Sequence, residues 1–396
     1  MSKCILPWIS IETTPTGKVR PCCLYTEELQ DIDLNTHTLQ DAFESKPMRD
    51  LRRSFRRGEK PSGCERCWME EDAGKKSKRQ YMLEKFKHED IDYASNAGSK
   101  LKFLDLKLGN ICNLKCRICG SWSSSKWAKE EIDYYEPDGG GQLQRQWMKE
   151  GQWPRKNKTF WSHMDQLLPD IKFFEFTGGE PWMIKEHFQL LQRAVDMGVA
   201  NEIDIHYNTN TTQFPKDPTI WKHFKRVQIA FSVDNTEERF EYERYGAKWR
   251  TANININKVH ALRGQGYPIE TQLCTTWNVQ NIYYLDEVLT WAETKNFDDI
   301  HFNLMHDPWE FALSRLPAKA RSPVMLYLQK MQIKHHKHMQ DIKALKTMVV
   351  QANMQDEETP EDGTQLFKKL RRTDLYRNQN FAHSHPKIAE ILGYEL

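Results

Sequence analysis

From residue 101 the chain alternates between short apolar runs and longer segments of helical periodicity. The runs are KFLDLKL (102–108), KFFEF (172–176), EIDIHY (202–207), VQIAFSV (227–233), IETQLCT (269–275) and DIHFNLM (299–305). Each has the length and residue types of a strand, whereas EHFQLLQRAVDMG and IYYLDEVLTWAETKN space their apolar residues as an amphipathic helix does. Strand–helix alternation predicts a parallel sheet, and six units predict an α/β fold built as an open or closed barrel. In a barrel the chemistry sits in the loops after the C-terminal ends of the strands. Here those loops carry three cysteines, then TGGEP, NTN, SVDN and CTTWN.

The rest of the chain divides around that block, giving segments 1–95, 96–310 and 311–396. In the first, ILPWISIETTPTGKVRPCC alternates about a Thr-Gly turn and reads as a hairpin. A basic helical stretch, KPMRDLRRSFRRGEK, and then GCERCWMEEDAGKKSKRQ follow it. So little apolar content implies a small α+β unit stapled by a metal. Within the second segment, residues 132–165 read as an inserted flexible loop with aromatic anchors, a surface excursion or a lid. The third is helical and polar, with a disordered patch expected at QDEETPEDGTQ (355–365) and a solvated face at KHHKH (334–338).

Composition narrows the function classes. Of 396 residues, 39% are hydrophobic and 28% charged, as in a soluble globular protein, and thirteen tryptophans suggest broad aromatic pockets. A formal net charge of +2 provides no overall basic field, so a nucleic-acid role would rest on the local run 48–61. No apolar run approaches the roughly 18 residues of a membrane span, and MSKCILPW lacks the apolar core of a signal peptide. The expectation is a cytoplasmic protein that does not enter membranes, where nine cysteines argue for metal ligation over disulfides.

Cys112, Cys116 and Cys119 follow C-x3-C-x2-C. Structural zinc takes four protein ligands, and nothing nearby completes a set. A 4Fe-4S cluster held by three thiolates keeps one open iron for another molecule. This spacing, in the loop after the first barrel strand, resembles the radical S-adenosylmethionine (SAM) superfamily, and the resemblance runs over about residues 100–306. It implies a partial (β/α)6 barrel and SAM chelated to the open iron. It also implies contacts to SAM from Thr177, Gly178, Gly179, Glu180 and Pro181, from Asn210 of NTN, from Ser232 and Asp234 of SVDN, and from Arg244 of YERYG. The family usually has an aromatic residue before the third cysteine; Ile118 stands there and packs without stacking. The implied reaction is reductive cleavage of SAM to a 5′-deoxyadenosyl radical that abstracts hydrogen from a substrate. The implied electron source is a low-potential donor of flavodoxin or ferredoxin type.

Four N-terminal cysteines, Cys4, Cys22, Cys64 and Cys67, are open to a second iron–sulfur cluster, a zinc site or free thiols. The G-x4-C element from Gly17 to Cys22 and the CERC stretch are similar to SPASM and twitch domains, which carry auxiliary clusters. Those domains usually follow the barrel, whereas this segment precedes it. Cys23 is a spare ligand or a buried bystander, and Cys274 is either a hydrogen or proton donor in the barrel mouth or a small buried hydrophobe. By analogy the expected substrate is a peptide or protein. A nucleotide, RNA or other small molecule is the alternative substrate, and a non-catalytic metal-binding assembly protein is the other class.

Overall fold

The computed structural model describes residues 3–355 and 363–394, so most of the patch expected to be disordered lies outside the described residues. Ten strands occur in chain order: β1 (Ser10–Thr13), β2 (Val19–Arg20), β3 (Phe103–Leu106), β4 (Lys115–Cys116), β5 (Phe173–Phe176), β6 (Asp204–Thr209), β7 (Arg226–Ser232), β8 (Arg244–Tyr245), β9 (Ile269–Trp277) and β10 (Asp299–Leu304). Eight of them form one sheet in the order β10-β9-β7-β6-β5-β3-β1-β2, and β4 pairs only with β8. The six strands expected from the apolar runs are β3, β5, β6, β7, β9 and β10. They are parallel and adjacent in sequence order, the arrangement of a partial (β/α)6 barrel left open between its edges.

The two faces of this sheet differ in kind. One face carries Leu104, Phe174, Ile205, Ile229 and Leu273, all fully buried in the main core with Leu190, Ala252, Ile256 and Val288 of the crossover helices. Each such side chain contributes roughly 1.5–3 kcal/mol by leaving water. The other face is polar: Glu12, Asp105, Glu175, His206 and Gln228 stand in register across five neighbouring strands. Because side chains alternate along a strand, both faces follow from one reading of the sequence.

The N-terminal hairpin departs from the expectation of a separate unit. β1 joins the main sheet parallel to β3, pairing Ser10 with Phe103 and Glu12 with Asp105, and β2 forms the antiparallel edge. Phe103 and Phe173, two positions before the inner acids, pack with Trp8, Ile9, Met82 and Phe86 into a second apolar cluster that plugs one end of the inner face. Lys75 Nζ reaches across to the carbonyl of Phe302 on the opposite edge strand. The N-terminal segment therefore caps the barrel.

The insertion differs too. It folds into helices Gln142–Glu150 and Lys158–Leu167, with Trp153 buried and donating through Nε1 to the carbonyl of Lys107. The C-terminal segment is helical as expected, including Ala318–Lys334, Met339–Gln355 and Thr364–Arg377. In KHHKH, His335 is buried against Asp286 at 2.8 Å. No helix among the described residues is long and apolar enough to cross a membrane.

Candidate functional site

The cysteine loop leaves β3 and is held by its backbone. Cys116 pairs with Arg244 and Lys115 with Tyr245 in the two-stranded β4–β8 ladder. Arg117 N–H donates to the carbonyl of Glu243 at 2.7 Å, and Cys119 N–H to that of Cys116 at 3.0 Å. Trp127 Nε1 donates to the carbonyl of Cys116 at 2.7 Å, and Ser124 Oγ to that of Leu114 at 2.7 Å. As residues the three cysteines are partly exposed, while their thiols point into the protein. Burial, followed by the charge of Cys116, pushes the Cys112 thiol up to about 12; burial also raises Cys116 and Cys119. Thiols so placed keep their protons until a cation displaces them.

The loops expected to bind SAM converge on that loop. Gly179 N–H donates to the carbonyl of Ser123 at 3.1 Å, and Glu180 N–H to that of Ile111 at 2.8 Å. A Cβ on Gly179, at φ +59°, would lie 2.5 Å from the Ile111 carbonyl oxygen, so this crossing admits only glycine. The Glu180 carboxylate points inward and accepts from Thr209 Oγ1 (2.8 Å), Asn210 N–H (2.7 Å) and Trp182 N–H (3.2 Å). Burial lifts its carboxyl to about 7 against those bonds. Pro181 opens the short turn that follows. Asn210 Nδ2 donates to Asn113 Oδ1 at 3.0 Å and lies 3.8 Å from Cys112 Sγ, so NTN braces the first cysteine.

Asp234 and Arg244 are joined. Arg244 Nη2 meets Asp234 Oδ2 at 2.6 Å, both side chains are under a tenth exposed, and Thr276 N–H donates to Asp234 Oδ1 at 2.9 Å. Arg244 Nη1 lies 3.8 Å from Cys116 Sγ, while its Nε is buried with no partner. A guanidinium N–H with no partner among the described residues, on an arginine beside the Cys116 thiol, fits an anionic group in this place. Ile118 packs partly buried against the core. Ser232 stands opposite Cys274 in the β7–β9 register, and Cys274 opposite His301 in β9–β10, so both face the polar side of the sheet. Thr177 Oγ1 donates inward to Asp105 Oδ1 at 3.3 Å.

That inner acid belongs to a network the motifs do not announce. Lys78 Nζ lies 2.9 Å from Cys23 Sγ, 2.7 Å from Glu175 Oε2 and 3.5 Å from Asp105 Oδ2. Lys107 Nζ contacts Glu12 and lies 3.4 Å from Asp105 Oδ1. Cys23, Asp105 and Glu175 have donor atoms within 4.8 Å of one another, but the Lys78 ammonium already fills the role of a cation there. The available signal was an acid in mid-strand at equivalent places in KFLDLKL and KFFEF.

Among the N-terminal thiols, burial and then Cys22 raise Cys4, and burial and then Cys67 push Cys22 up to about 11. All four lie in or against the second apolar cluster or its helix. Sulfurs around one tetrahedral zinc stand about 3.8 Å apart, given a Zn–S bond of about 2.3 Å. No three of these thiols, and not the barrel trio either, lie within 4.8 Å of one another among the described residues. Neither set is therefore drawn together as tightly as the sulfurs around a single tetrahedral zinc.

Residues 4–68 match the family model SPASM, an iron–sulfur cluster-binding domain. The matched residues include Cys4, Cys22, Cys23, Cys64 and Cys67. No curated protein gives a match to the chain. Among solved structures, native anSMEcpe with bound AdoMet is 16% identical, covering 61% of this chain and 61% of that one, at a TM-score of 0.39. SuiB of Streptococcus suis bound to precursor peptide SuiA is 12% identical over 78% of this chain and 65% of that one, with a TM-score of 0.36. TYW1 with a lysine-pyruvate adduct is 15% identical over 59% and 71%, at 0.32. The chain thus spans less than two thirds of the first two structures, and scores at this level carry no argument about its activity.

Proposed function

We propose that the protein is a radical SAM enzyme with two iron–sulfur clusters, acting on a peptide or protein. The observation that carries this reading is the convergence of Cys112–Cys119, TGGEP, NTN and YERYG, joined by the bonds of Gly179, Glu180, Asn210 and Arg244. Cys112, Cys116 and Cys119 would hold a 4Fe-4S cluster with one open iron. With SAM on that iron, such a cluster supplies one electron for reductive cleavage to methionine and a 5′-deoxyadenosyl radical.

The chain's own side chains do the rest. Gly178 and Gly179 bring backbone groups up to the cysteine loop, Arg244 Nε offers a donor to the SAM carboxylate, and Asp234 fixes the guanidinium. Asn210 and Ser232 line the remaining approach. The inner face supplies Asp105, Glu175 and Lys78 to orient a substrate and to move a proton beside it, while the N-terminal cap excludes water. Cys4, Cys22, Cys64 and Cys67 would hold the auxiliary cluster, and a low-potential flavodoxin or ferredoxin would deliver electrons. The peptide or protein substrate is supported by the SPASM match, since domains of that type accompany maturases.

The test is anaerobic reconstitution followed by assay of 5′-deoxyadenosine under a strong reductant, with peptides, nucleotides or no substrate added. Cleavage that is stimulated by peptides and absent in Cys116→Ala is the expected result. Stimulation by nucleotides alone would move the substrate class. Metal binding without cleavage would make this a binding or assembly protein.

A further inference from the structure

Both residues flanking Cys116 in sequence, Lys115 and Arg117, are tied to a helix more than 250 residues away. Helix Thr364–Arg377 turns two charged side chains inward, Asp374 and Arg377, each about a twentieth exposed. Asp374 Oδ1 accepts from Arg117 Nη2 at 2.5 Å and from Tyr242 O–H at 2.9 Å, and Asp374 Oδ2 accepts from Phe381 N–H at 2.7 Å. The Arg117 guanidinium lies 3.7 Å from the centre of the Tyr242 ring and is 2% exposed.

The second anchor reads the backbone itself. Arg377 Nη1 donates to the carbonyl of Lys115 at 2.8 Å, and its Nη2 meets Glu130 at 3.0 Å with both side chains essentially sealed from water. Glu130 also pairs with Lys115 Nζ. The guanidinium lies over Trp127, 4.4 Å from the ring centre, and Trp127 is the residue whose indole N–H holds the Cys116 carbonyl. Such fully buried charges keep a fixed geometry, because breaking either pair leaves an uncompensated charge. The cysteine loop has only the two-residue strand β4 as secondary structure of its own, so these anchors add to the β4–β8 ladder in fixing its shape.

We propose that Asp374 and Arg377 are positioning residues of the iron site, holding the Cys112–Cys119 loop in the conformation that binds a cluster. The proposal rests on the reading that the trio ligates iron. It gives the C-terminal helix a role in cofactor binding although it contributes no ligand.

The test uses the full chain, reconstituted anaerobically, with iron counted per chain and electron paramagnetic resonance recorded with and without SAM. Wild type, Asp374→Asn, Arg377→Lys and the control Leu375→Ser, on the outer side of the same helix, are compared. Each is also made in a Cys112/Cys116/Cys119→Ala background. Wild type is expected to hold about eight irons and the triple-alanine chain about four. Asp374→Asn is expected to lose half or more of the barrel iron together with the SAM-induced spectral change. Arg377→Lys keeps the charge but loses the two-armed contact, so it falls between, and Leu375→Ser matches wild type. In the triple-alanine background none of these should remove further iron. Full iron and an unchanged SAM response in Asp374→Asn would overturn the proposal, as would equal losses from both sites. Equal iron in wild type and the triple-alanine chain would instead overturn the cluster reading on which it rests.

Discussion

The two cysteine sets are held in different ways. Cys4, Cys22 and Cys64 lie in or against an apolar cluster with Leu6, Trp8, Phe55, Trp68 and Met82, and Cys67 precedes Trp68 on the adjoining helix. The barrel trio lies among Asn113, Asn210, Trp127 and Arg244, held through polar bonds from the NTN loop, the helix of Trp127 and β8. Four thiols, three of them in or against an apolar cluster, suit a metal cluster whose coordination is complete. Three thiols, one of them beside an arginine whose Nε has no partner among the described residues, suit one that receives another molecule.

The strongest way to break that comparison is to remove one set at a time. Cys116→Ala should abolish 5′-deoxyadenosine formation, measured by chromatography, whereas Cys64→Ala should cost about four irons and leave SAM cleavage without substrate turnover. If Cys64→Ala also abolishes cleavage, the two sites are not separable.

Next in size is the polar brace around the trio. Arg244→Ala strands the buried Asp234, and a loss of roughly 3–5 kcal/mol is expected in denaturant unfolding, together with SAM binding weakened at least tenfold. Gly179→Ala drives a methyl group into the Ile111 carbonyl, costing about 1–3 kcal/mol and displacing TGGEP from the cysteine loop. Iron content should fall at the barrel site alone.

The last effect expected is on pH dependence. The Glu180 carboxyl titrates near 7 in the folded chain and near 4.5 when unfolded, so the folded state holds that proton more tightly. Its contribution to stability is full below about pH 4.5, declines as pH rises to 7, and is flat above. The decline over that range is on the order of 3 kcal/mol. Glu180→Gln should lower stability throughout, because Nε2 cannot accept from Asn210 N–H, and should flatten the slope between pH 5 and 7 in apo-protein denaturation.

The six parallel strands were legible because each is an apolar run bounded by turn residues, and their ends shift by no more than two residues in the structure. The functional loops were legible for the same reason, since strand ends position them. The partnership of β1 with β3 was not, because SIET offers only polar Ser10, Glu12 and Thr13 around Ile11, and its partner lies some 90 residues away. The aromatic insertion read as flexible from its glycines, although Trp153 anchors it in the core. Asp105, Glu175 and Lys78 escaped because a charged residue reads as solvated until its partners are brought to it. Asp374 and Arg377 escaped for the same reason, in a helix that otherwise reads as a polar surface.

The strand β1 also bears on how the chain is made. On the ribosome, β1 emerges with only β2 to pair with, and its other edge waits for residues 103–106 before its hydrogen bonds can be completed. A fragment stopping near residue 95 would display that raw edge together with Trp8, Ile9 and Phe86, stripped of Phe103 and Phe173. Such a fragment should elute as aggregates in size-exclusion chromatography, whereas the full chain should not. For this molecule the unit of folding is therefore longer than the unit of sequence similarity.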